Sequence, residues 1–456
     1  MNRPAGSGAP SDTITAIATA AGVAAIGVIR ISGPAAPSIT EALLGRLPPA
    51  RQATFASFRS DAGAPIDRGI ALYFPAPRSF TGENMAEFHA HGGPMVLDML
   101  LQRTVQLGAR LARPGEFSER AFFNGKIDLT QAEAIADLIS SGSAQAARAA
   151  LASLQGKFSQ RVQALAAAID HLRVDLEAAL DFPEESASPE TRVAYGRRLT
   201  GIRTELDATL ASAGEGQLLN DGVRVVIVGR PNAGKSSLFN CLARRDRAIV
   251  STVAGTTRDT LDVDIDLSGL PVHLTDTAGL REGGDEIERE GMRRTRAALA
   301  ETDHVLLLVP CDADYSEDDR QFVGSMPAGA SLTVVRTKID LCPAEAEIRA
   351  APHGVEVWLS VQENLGVHLL ERRIRQAVGY LDGREGAFSA RRRHVETLRQ
   401  TQQAVHAANE VLSEGSMLEL AAEQLRRARQ HLSLITGEYT AEDLLAQIFG
   451  SFCIGK

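Results

Sequence analysis

Cysteine is scarce in this chain, with only Cys241, Cys311, Cys342 and Cys453 among 456 residues. Four scattered thiols without metal-ligand spacing exclude a disulfide scaffold and fit a reducing compartment, the cytoplasm, best. An excess of positive charge is also missing. The formal net charge is −9 and the pI about 5.7, whereas a protein that grips nucleic acid by neutralising phosphates is usually basic. Any RNA contact must therefore come from local patches or be shared with a partner. No apolar run approaches the length of a membrane span. The stretch from Ile14 to Ile31 comes nearest to a signal peptide, but only Arg3 is basic upstream, and Thr15, Thr19, Gly22 and Gly27 interrupt it. Buried strand is the better reading. Cys453-Ile454-Gly455-Lys456 has the outline of a prenylation box, yet glycine and a terminal lysine suit it poorly and no basic cluster precedes it, so no lipid anchor is expected. There is no internal repeat.

What remains is the composition of an ordinary soluble protein long enough for two to four domains. Three textures follow one another. Up to about Asn124, short apolar runs such as Gly27–Ile31 and Ile70–Phe74 alternate with Gly/Pro turns around one helical stretch near Met95–Leu107, an α+β pattern. From about Leu129 apolar residues recur at helical spacing (Ile135, Leu138, Ile139, Leu151, Leu154) until Asp181-Phe182-Pro183, where proline blocks continuation. A further helical segment is expected to about Ala211, with Gly214-Glu215-Gly216 as a linker. From Val223 to about Gly379 strands alternate with helices, as in a parallel sheet with crossover helices. Helical texture returns from Arg391, and a final helix is expected at Thr440, where Thr440-Ala441-Glu442-Asp443 resembles a capping box. The expected fold class is multidomain: an α+β N-terminal domain (1–124), a discontinuous α-helical domain (125–216 with 382–456), and an inserted α/β domain (217–381).

The chemistry sits in the third texture. The β-branched run Val223–Val228 leads into Gly229-Arg230-Pro231-Asn232-Ala233-Gly234-Lys235-Ser236, with a helical Ser237–Leu242 behind it. This is the G-x-x-x-x-G-K-[ST] phosphate loop in its strand–loop–helix setting. Its glycines let backbone N–H groups surround phosphates at a helix N-terminus. Lys235 would neutralise the β/γ oxygens, and Ser236 would offer its hydroxyl to Mg²⁺. Asp276-Thr277-Ala278-Gly279 follows the apolar Val272–Leu274 and places a carboxylate near the metal. Thr337-Lys338-Ile339-Asp340 follows Leu332–Val335. Asp340 can accept from both N1–H and the exocyclic amine of guanine, a donor pair that adenine lacks. Ser360 ends the run Val355–Leu359 at the base edge.

Four elements in this order resemble the translation-factor-like branch of P-loop GTPases. Two residues depart from the common pattern. Thr337 stands where many GTPases have asparagine, and its hydroxyl replaces only part of that hydrogen bonding. Leu280 stands where Ras-like proteins place a water-orienting glutamine, so hydrolysis must recruit another group. An acidic cluster lies just downstream at Glu282, Asp285, Glu286 and Glu288.

The loop Ser251-Thr252-Val253-Ala254-Gly255-Thr256-Thr257-Arg258-Asp259 looks like the first switch of the MnmE (TrmE) family. The likeness continues through Gly27–Gly33, Ser79–Glu83, His91–Pro94, Arg113–Phe122 and Phe452–Lys456. The resemblance implies that Thr257 completes the Mg²⁺ shell with Ser236, and that Asn232 helps bind K⁺ with Ser251, Val253 and Thr256. It implies that Glu288 orients the attacking water, and that hydrolysis is coupled to dimerisation of the G domains. It also implies a folate-binding and dimerising N-terminal domain, with Arg30, Glu87, Lys126 and Lys456 around a one-carbon-loaded tetrahydrofolate. Cys453 by position is a nucleophile or redox thiol, with a packed or merely exposed thiol as the equal alternative. A homodimer working with the FAD-containing partner MnmG, two copies of each, would install an aminomethyl-type group, typically carboxymethylaminomethyl, at C5 of the tRNA wobble uridine.

His89 and His91 are expected in a structural turn rather than at a metal. Arg391-Arg392-Arg393-His394 could touch RNA, though a solvated helix start is the commoner use of such a run. Two other functions compete with this one. A ribosome-assembly GTPase would add an RNA-binding module, but no KH-type loop or strongly basic tail follows the G motifs. A folate-binding scaffold whose G domain does not turn over draws support from Leu280.

Overall fold

The computed structural model describes residues 12–181, 189–245, 262–276, 302–324, 326, 330–351, 354–380, 387–413, 417–438 and 442–455. By compactness the chain divides into two units, Met1–Ala136 with Ser433–Lys456, and Asp137–Leu432.

The first unit is built on a six-stranded sheet in the order β3-β4-β5-β2-β1-β6. Its strands are β1 (Ile14–Ile17), β2 (Ala24–Ser32), β3 (Thr54–Arg59), β4 (Pro65–Phe74), β5 (Met85–Gly92) and β6 (Arg110–Leu111). All neighbours are antiparallel except β1 and β6. The apolar stretch from Ile14 to Ile31 is thus two paired strands rather than one, because the Gly22 turn folds it back on itself. Ile29, Ile31, Phe58 and Phe88 pack under Ile39 and Leu43 of α1 (Ala36–Leu44) and Leu97 and Leu100 of α2 (Pro94–Gln106). The helix expected near Met95–Leu107 is α2, while α1 and α3 (Glu116–Phe123) add to the sequence reading. His89 and His91 lie on β5, not in a turn, and the His91 ring sits 2.9 Å from Asp67 on β4.

The motif Arg113–Phe122 opens α3 and is largely structural. Glu116 and Arg120 are 1% and 2% exposed and pair with each other at 3.1 Å. Arg110 adds a second cation to Glu116, and Arg120 reaches Glu83 and Asp12. Burial alone would raise the Glu116 pKa, but bonds from Arg110, the Arg113 backbone and Arg120 outweigh it and hold it at about 2. After α4 (Leu129–Ser140) the chain leaves this unit. It returns for the helix Glu442–Gly450, whose Phe449 packs on Phe122 and Leu129. The expected cap at Thr440 lies outside the described residues.

The second unit contains α5 (Ala144–Leu154), α6 (Lys157–Asp181) and α7 (Pro189–Asp221), then a seven-stranded sheet. Its strands are β7 (Val223–Gly229), β8 (Asp262–Leu267), β9 (Leu270–Asp276), β10 (His304–Pro310), β11 (Ser331–Thr337), β12 (Ile348–Ala351) and β13 (Gly354–Trp358). The order is β12-β13-β11-β10-β7-β9-β8. The inner five strands run parallel, and β8 and β12 are antiparallel edges. Strands covered on both faces read as unbroken apolar runs, which is why Val225–Val228 and Val305–Val309 lack alternation. One face packs on α8 (Lys235–Arg245) and α10 (Val367–Ala377), and α9 (Glu317–Gly324) lies over the other. Helices α11 (Arg392–Ser413) and α12 (Leu418–Thr436) complete the unit. The fold class is therefore an N-terminal α+β domain, helical segments and a P-loop GTPase-like α/β sheet.

Gly214-Glu215-Gly216 is not a linker, because α7 runs through it to Asp221. Glycine serves close packing there. A Cβ at Gly216 would lie 2.0 Å from the Phe388 carbonyl oxygen, whereas one at Gly214 would meet nothing within 4 Å. The run Arg391–His394 is only partly a solvated helix start. Arg391 bonds Asp137 at 2.7 Å, and His394 is buried. Among the described residues no helix is long and apolar enough to cross a membrane.

The two glycines make a paired prediction. Gly214→Ala should stabilise the helix by about 1 kcal/mol, while Gly216→Ala should destabilise the protein by about 1–3 kcal/mol through overpacking. Denaturant unfolding of both variants reads this directly, and equal effects would contradict a continuous α7.

Candidate functional site

Three sheet strands deliver their C-terminal ends to one place. β7 ends in the loop 229–234, which closes onto the first turn of α8. Gly229 has φ 149° and its Cβ would lie 2.6 Å from the Leu308 carbonyl oxygen, while Gly234 has φ 93°, so both positions exclude side chains. Lys235, 8% exposed, donates to the carbonyls of Gly229 at 2.9 Å and Arg230 at 2.8 Å, which places its ammonium inside the loop. Asn232 is exposed at the loop tip with φ 65°, and Ala233 is buried beneath it. Ser236 and Ser237 occupy the exposed first turn of α8, where backbone N–H groups face an anion favourably.

At the end of β9, Asp276 is buried and accepts from the Ser236 hydroxyl at 3.2 Å. A hydroxyl and a carboxylate so close are hard oxygen donors of the kind Mg²⁺ takes alongside phosphate oxygens, so these residues fit that ion. Among the described residues no cluster of three or more His, Cys, Asp or Glu could hold a metal by itself.

β11 ends at Thr337, and the chain turns through Lys338 (φ 61°) into a 3-10 turn, Ile339–Leu341. Thr337, 2% exposed, donates its hydroxyl to the Ala233 carbonyl at 2.8 Å. The single oxygen left by the asparagine-to-threonine departure is thus spent on tying the base turn to the phosphate loop. Asp340 is exposed at the turn, and one of its carboxylate oxygens accepts from the buried Ser360 hydroxyl. The Ser360 backbone is itself paired both ways with Leu365, at 3.0 and 2.9 Å. Asp340 is thereby fixed in orientation, with lone pairs remaining for two donors.

The structure adds residues that sequence reasoning missed. Arg230 donates to Asp319 at 2.5 Å and to the Asp314 carbonyl at 2.8 Å. Asp319 caps α9 together with Ser316. Burial would raise the Asp319 pKa, but bonds from Arg230 and Ser316 lower it. The phosphate loop is therefore clasped from outside by the segment after β10. No local motif reveals this, because the partners lie 89 positions apart. Ser251–Thr257, Thr277, Ala278, Gly279 and Glu288 lie outside the described residues, so the switch, water-orienting and K⁺ assignments there have no geometry, and Lys456 is also outside.

In the first unit, Arg30 on β2 and Glu87 on β5 are paired in register and bonded at 2.9 Å. Arg30 also reaches the Gly455 carbonyl at 3.4 Å and lies 5.9 and 5.7 Å from the Phe80 and Phe117 ring centroids. Phe117 is fully buried, so the rings pack against the Arg30 guanidinium, while the Glu87 carboxylate stays half-buried beside it. Lys126 stands apart from that pair and donates to the Pro77 carbonyl at 3.0 Å.

Comparison with known proteins identifies the family. The family model described as the MnmE helical domain matches residues 129–453, and that of the GTP-binding protein TrmE N-terminus matches 13–126. The tRNA modification GTPase MnmE of Methylococcus capsulatus is 51% identical over 445 residues, covering 98% of this chain and 99% of its own. That of Sodalis glossinidius is 48% identical over 451 residues, covering 98% and 99%. The chain belongs to the MnmE family. It is a P-loop GTPase, a hydrolase of that family. Among solved structures, the FeoB G domain of T. maritima aligns with 34% of this chain and 98% of its own at 20% identity, with a TM-score of 0.26, too low to add to the assignment.

Thr337→Val keeps the shape but removes the donor, leaving the Ala233 carbonyl without that hydrogen bond. The expected cost is about 1–2 kcal/mol, or roughly five- to thirty-fold weaker GDP binding. Titration with a fluorescent GDP checks it, and unchanged affinity would show that the bond does not couple base turn and phosphate loop.

Proposed function

We propose that this chain is a K⁺-dependent GTPase that modifies the wobble uridine of certain tRNAs, with hydrolysis driving conformational change rather than the alkylation. The observation that carries this reading is the juxtaposition of the Asp340–Ser360 base grip with a phosphate loop bonded to it through Thr337. It is supported by likeness over nearly the whole chain to relatives named tRNA modification GTPase.

Lys235 would bind the β/γ oxygens, and the loop amides would orient the phosphates. Ser236 and Thr257 would hold Mg²⁺ with the Asp276 carboxylate near it, while Asn232, Ser251, Val253 and Thr256 would hold K⁺. A cation beside the β/γ phosphates supplies the charge neutralisation that an arginine finger provides elsewhere. Thr252, Ala254 and Gly255 of the same switch, with Thr277, Ala278 and Gly279, would contact the nucleotide, Gly279 near the γ-phosphate. Lys338 lies along the base turn. Glu288 would orient the attacking water, since Leu280 has no group that can.

In the N-terminal domain, Arg30 and Glu87 would hold a tetrahydrofolate derivative, with Lys126 and Lys456 serving its glutamate tail; the one-carbon unit it carries supplies the added carbon. We assign 1–124 to folate binding and dimerisation, 125–216 with 382–456 to the helical domain, and 217–381 to the nucleotide. The partners are a second copy, the flavoprotein MnmG, which brings FAD, and tRNA, in a cytoplasmic complex of two copies each.

Two measurements test this. Anticodon nucleoside analysis of a strain lacking the chain should find wobble uridine without its aminomethyl-type group, and fully modified uridine would contradict the reading. Turnover of GTP by the purified protein should be about ten-fold or more faster in K⁺ than in Na⁺. Equal, near-zero rates would favour a folate-binding scaffold that holds nucleotide without hydrolysing it.

A further inference from the structure

Cys311 and Cys342 are joined by a disulfide, with Cα atoms 6.5 Å apart. The sparse cysteines exclude a disulfide scaffold, and this isolated bond is not one. Its position is what matters. Cys311 directly follows β10, and Cys342 directly follows the 3-10 turn that carries Asp340. The Cys311 sulfur lies 3.1 Å from the carbonyl oxygen of Lys338, inside the base turn. Both cysteines are half-buried, so the bond can be reached from solvent.

The segment 311–319 that carries Cys311 is itself rigidly mounted. Its Ala313 carbonyl accepts from Arg336 at 2.7 Å, and Tyr315 donates to Glu356 at 2.6 Å. The Arg336 guanidinium lies between the rings of Tyr315 and Trp358, at 4.7 and 5.7 Å. The same segment holds the phosphate loop through Arg230, Asp314 and Asp319. One fixed strap therefore grips the phosphate loop with hydrogen bonds and the base turn with a covalent bond.

We propose that Cys311–Cys342 is a redox-modified clasp on the nucleotide site, opened by a dithiol reductant to release guanine nucleotide faster. The proposal rests on the reading of Asp340 as the guanine contact. A single accessible disulfide fits a reversible, sensing role better than a structural one in a reducing setting. Opening proceeds by exchange. One thiolate of the dithiol attacks a sulfur of the bond, forming a mixed disulfide and expelling the other cysteine as thiolate. The second thiolate then attacks the mixed disulfide and expels the remaining cysteine. The dithiol leaves oxidised by two electrons, and the two expelled thiolates take up protons. A low-molecular-weight disulfide reverses the sequence. In the open form the tie from strap to turn shrinks to a weak S–H···O bond to Lys338, and the turn loses its preorganisation.

The test uses the full-length protein equilibrated in oxidised glutathione or in the dithiol dithiothreitol and loaded with fluorescent GDP. Mass spectrometry after alkylation should find Cys311 and Cys342 protected only in the oxidised sample. Reduction should speed GDP release by about three- to ten-fold. The C311S/C342S variant, and native protein reduced and then alkylated, should release at the fast rate in both buffers. Four alkylated cysteines in the oxidised sample, or equal release rates in both buffers, would overturn the clasp. Competition with ATP in each buffer separates the two ideas: guanine preference kept at equal release rates rejects the clasp alone, whereas no guanine preference in either buffer rejects the Asp340 reading beneath it.

Discussion

One hydrogen bond, from the Thr337 hydroxyl to the Ala233 carbonyl, joins the two halves of the candidate nucleotide site. The phosphate loop belongs to β7 and α8, and the base turn belongs to β11. Without a tie between them, each would be free to shift on its own strand end. A nucleotide spans both, so its binding depends on their spacing being set in advance. Because the bond is buried, water does not compete for it, and losing it would leave a desolvated carbonyl behind. The parallel sheet serves this bond by bringing β7 and β11 to the same edge on either side of β10.

Around that bond the structure repeats one device, in which a rigid segment holds a flexible one. Arg230 is clasped by Asp319 and Asp314, Asp340 by Ser360, and the base turn by Cys311 through Cys342. In the first unit the buried Glu116–Arg120 pair does the same for the start of α3. Buried charges cost desolvation, and Glu116 stays ionised in spite of its burial because Arg110, the Arg113 backbone and Arg120 all donate to it.

The strand-end geometry of the candidate nucleotide site was legible in the sequence, because each motif sits where an apolar strand stops, and strands covered on both faces write themselves as β-branched runs. Val223–Val228, Leu332–Val335 and Val355–Leu359 were visible for that reason. The fold of the first unit was legible only in outline. Helices α1 and α3 are too short for periodicity to stand out, and the Ile14–Ile31 stretch hid a turn inside an apolar run. Gly214 and Gly216 misled because glycine usually punctuates helices, whereas here Gly216 admits the Phe388 carbonyl against α7. The Arg230–Asp319 clasp and the Cys311–Cys342 bond were invisible because they join positions far apart in the chain, with no local pattern to mark them.

The central claim is that Asp340, held by Ser360 and latched through Thr337, decides which base is bound. Competition of GTP, ATP and xanthosine triphosphate against fluorescent GDP, in native protein and Asp340→Asn, tests it most directly. The account predicts that native protein prefers GTP and excludes ATP, and that the variant turns towards xanthosine triphosphate. Native protein that takes ATP as readily as GTP, or a variant that still prefers GTP, would contradict it.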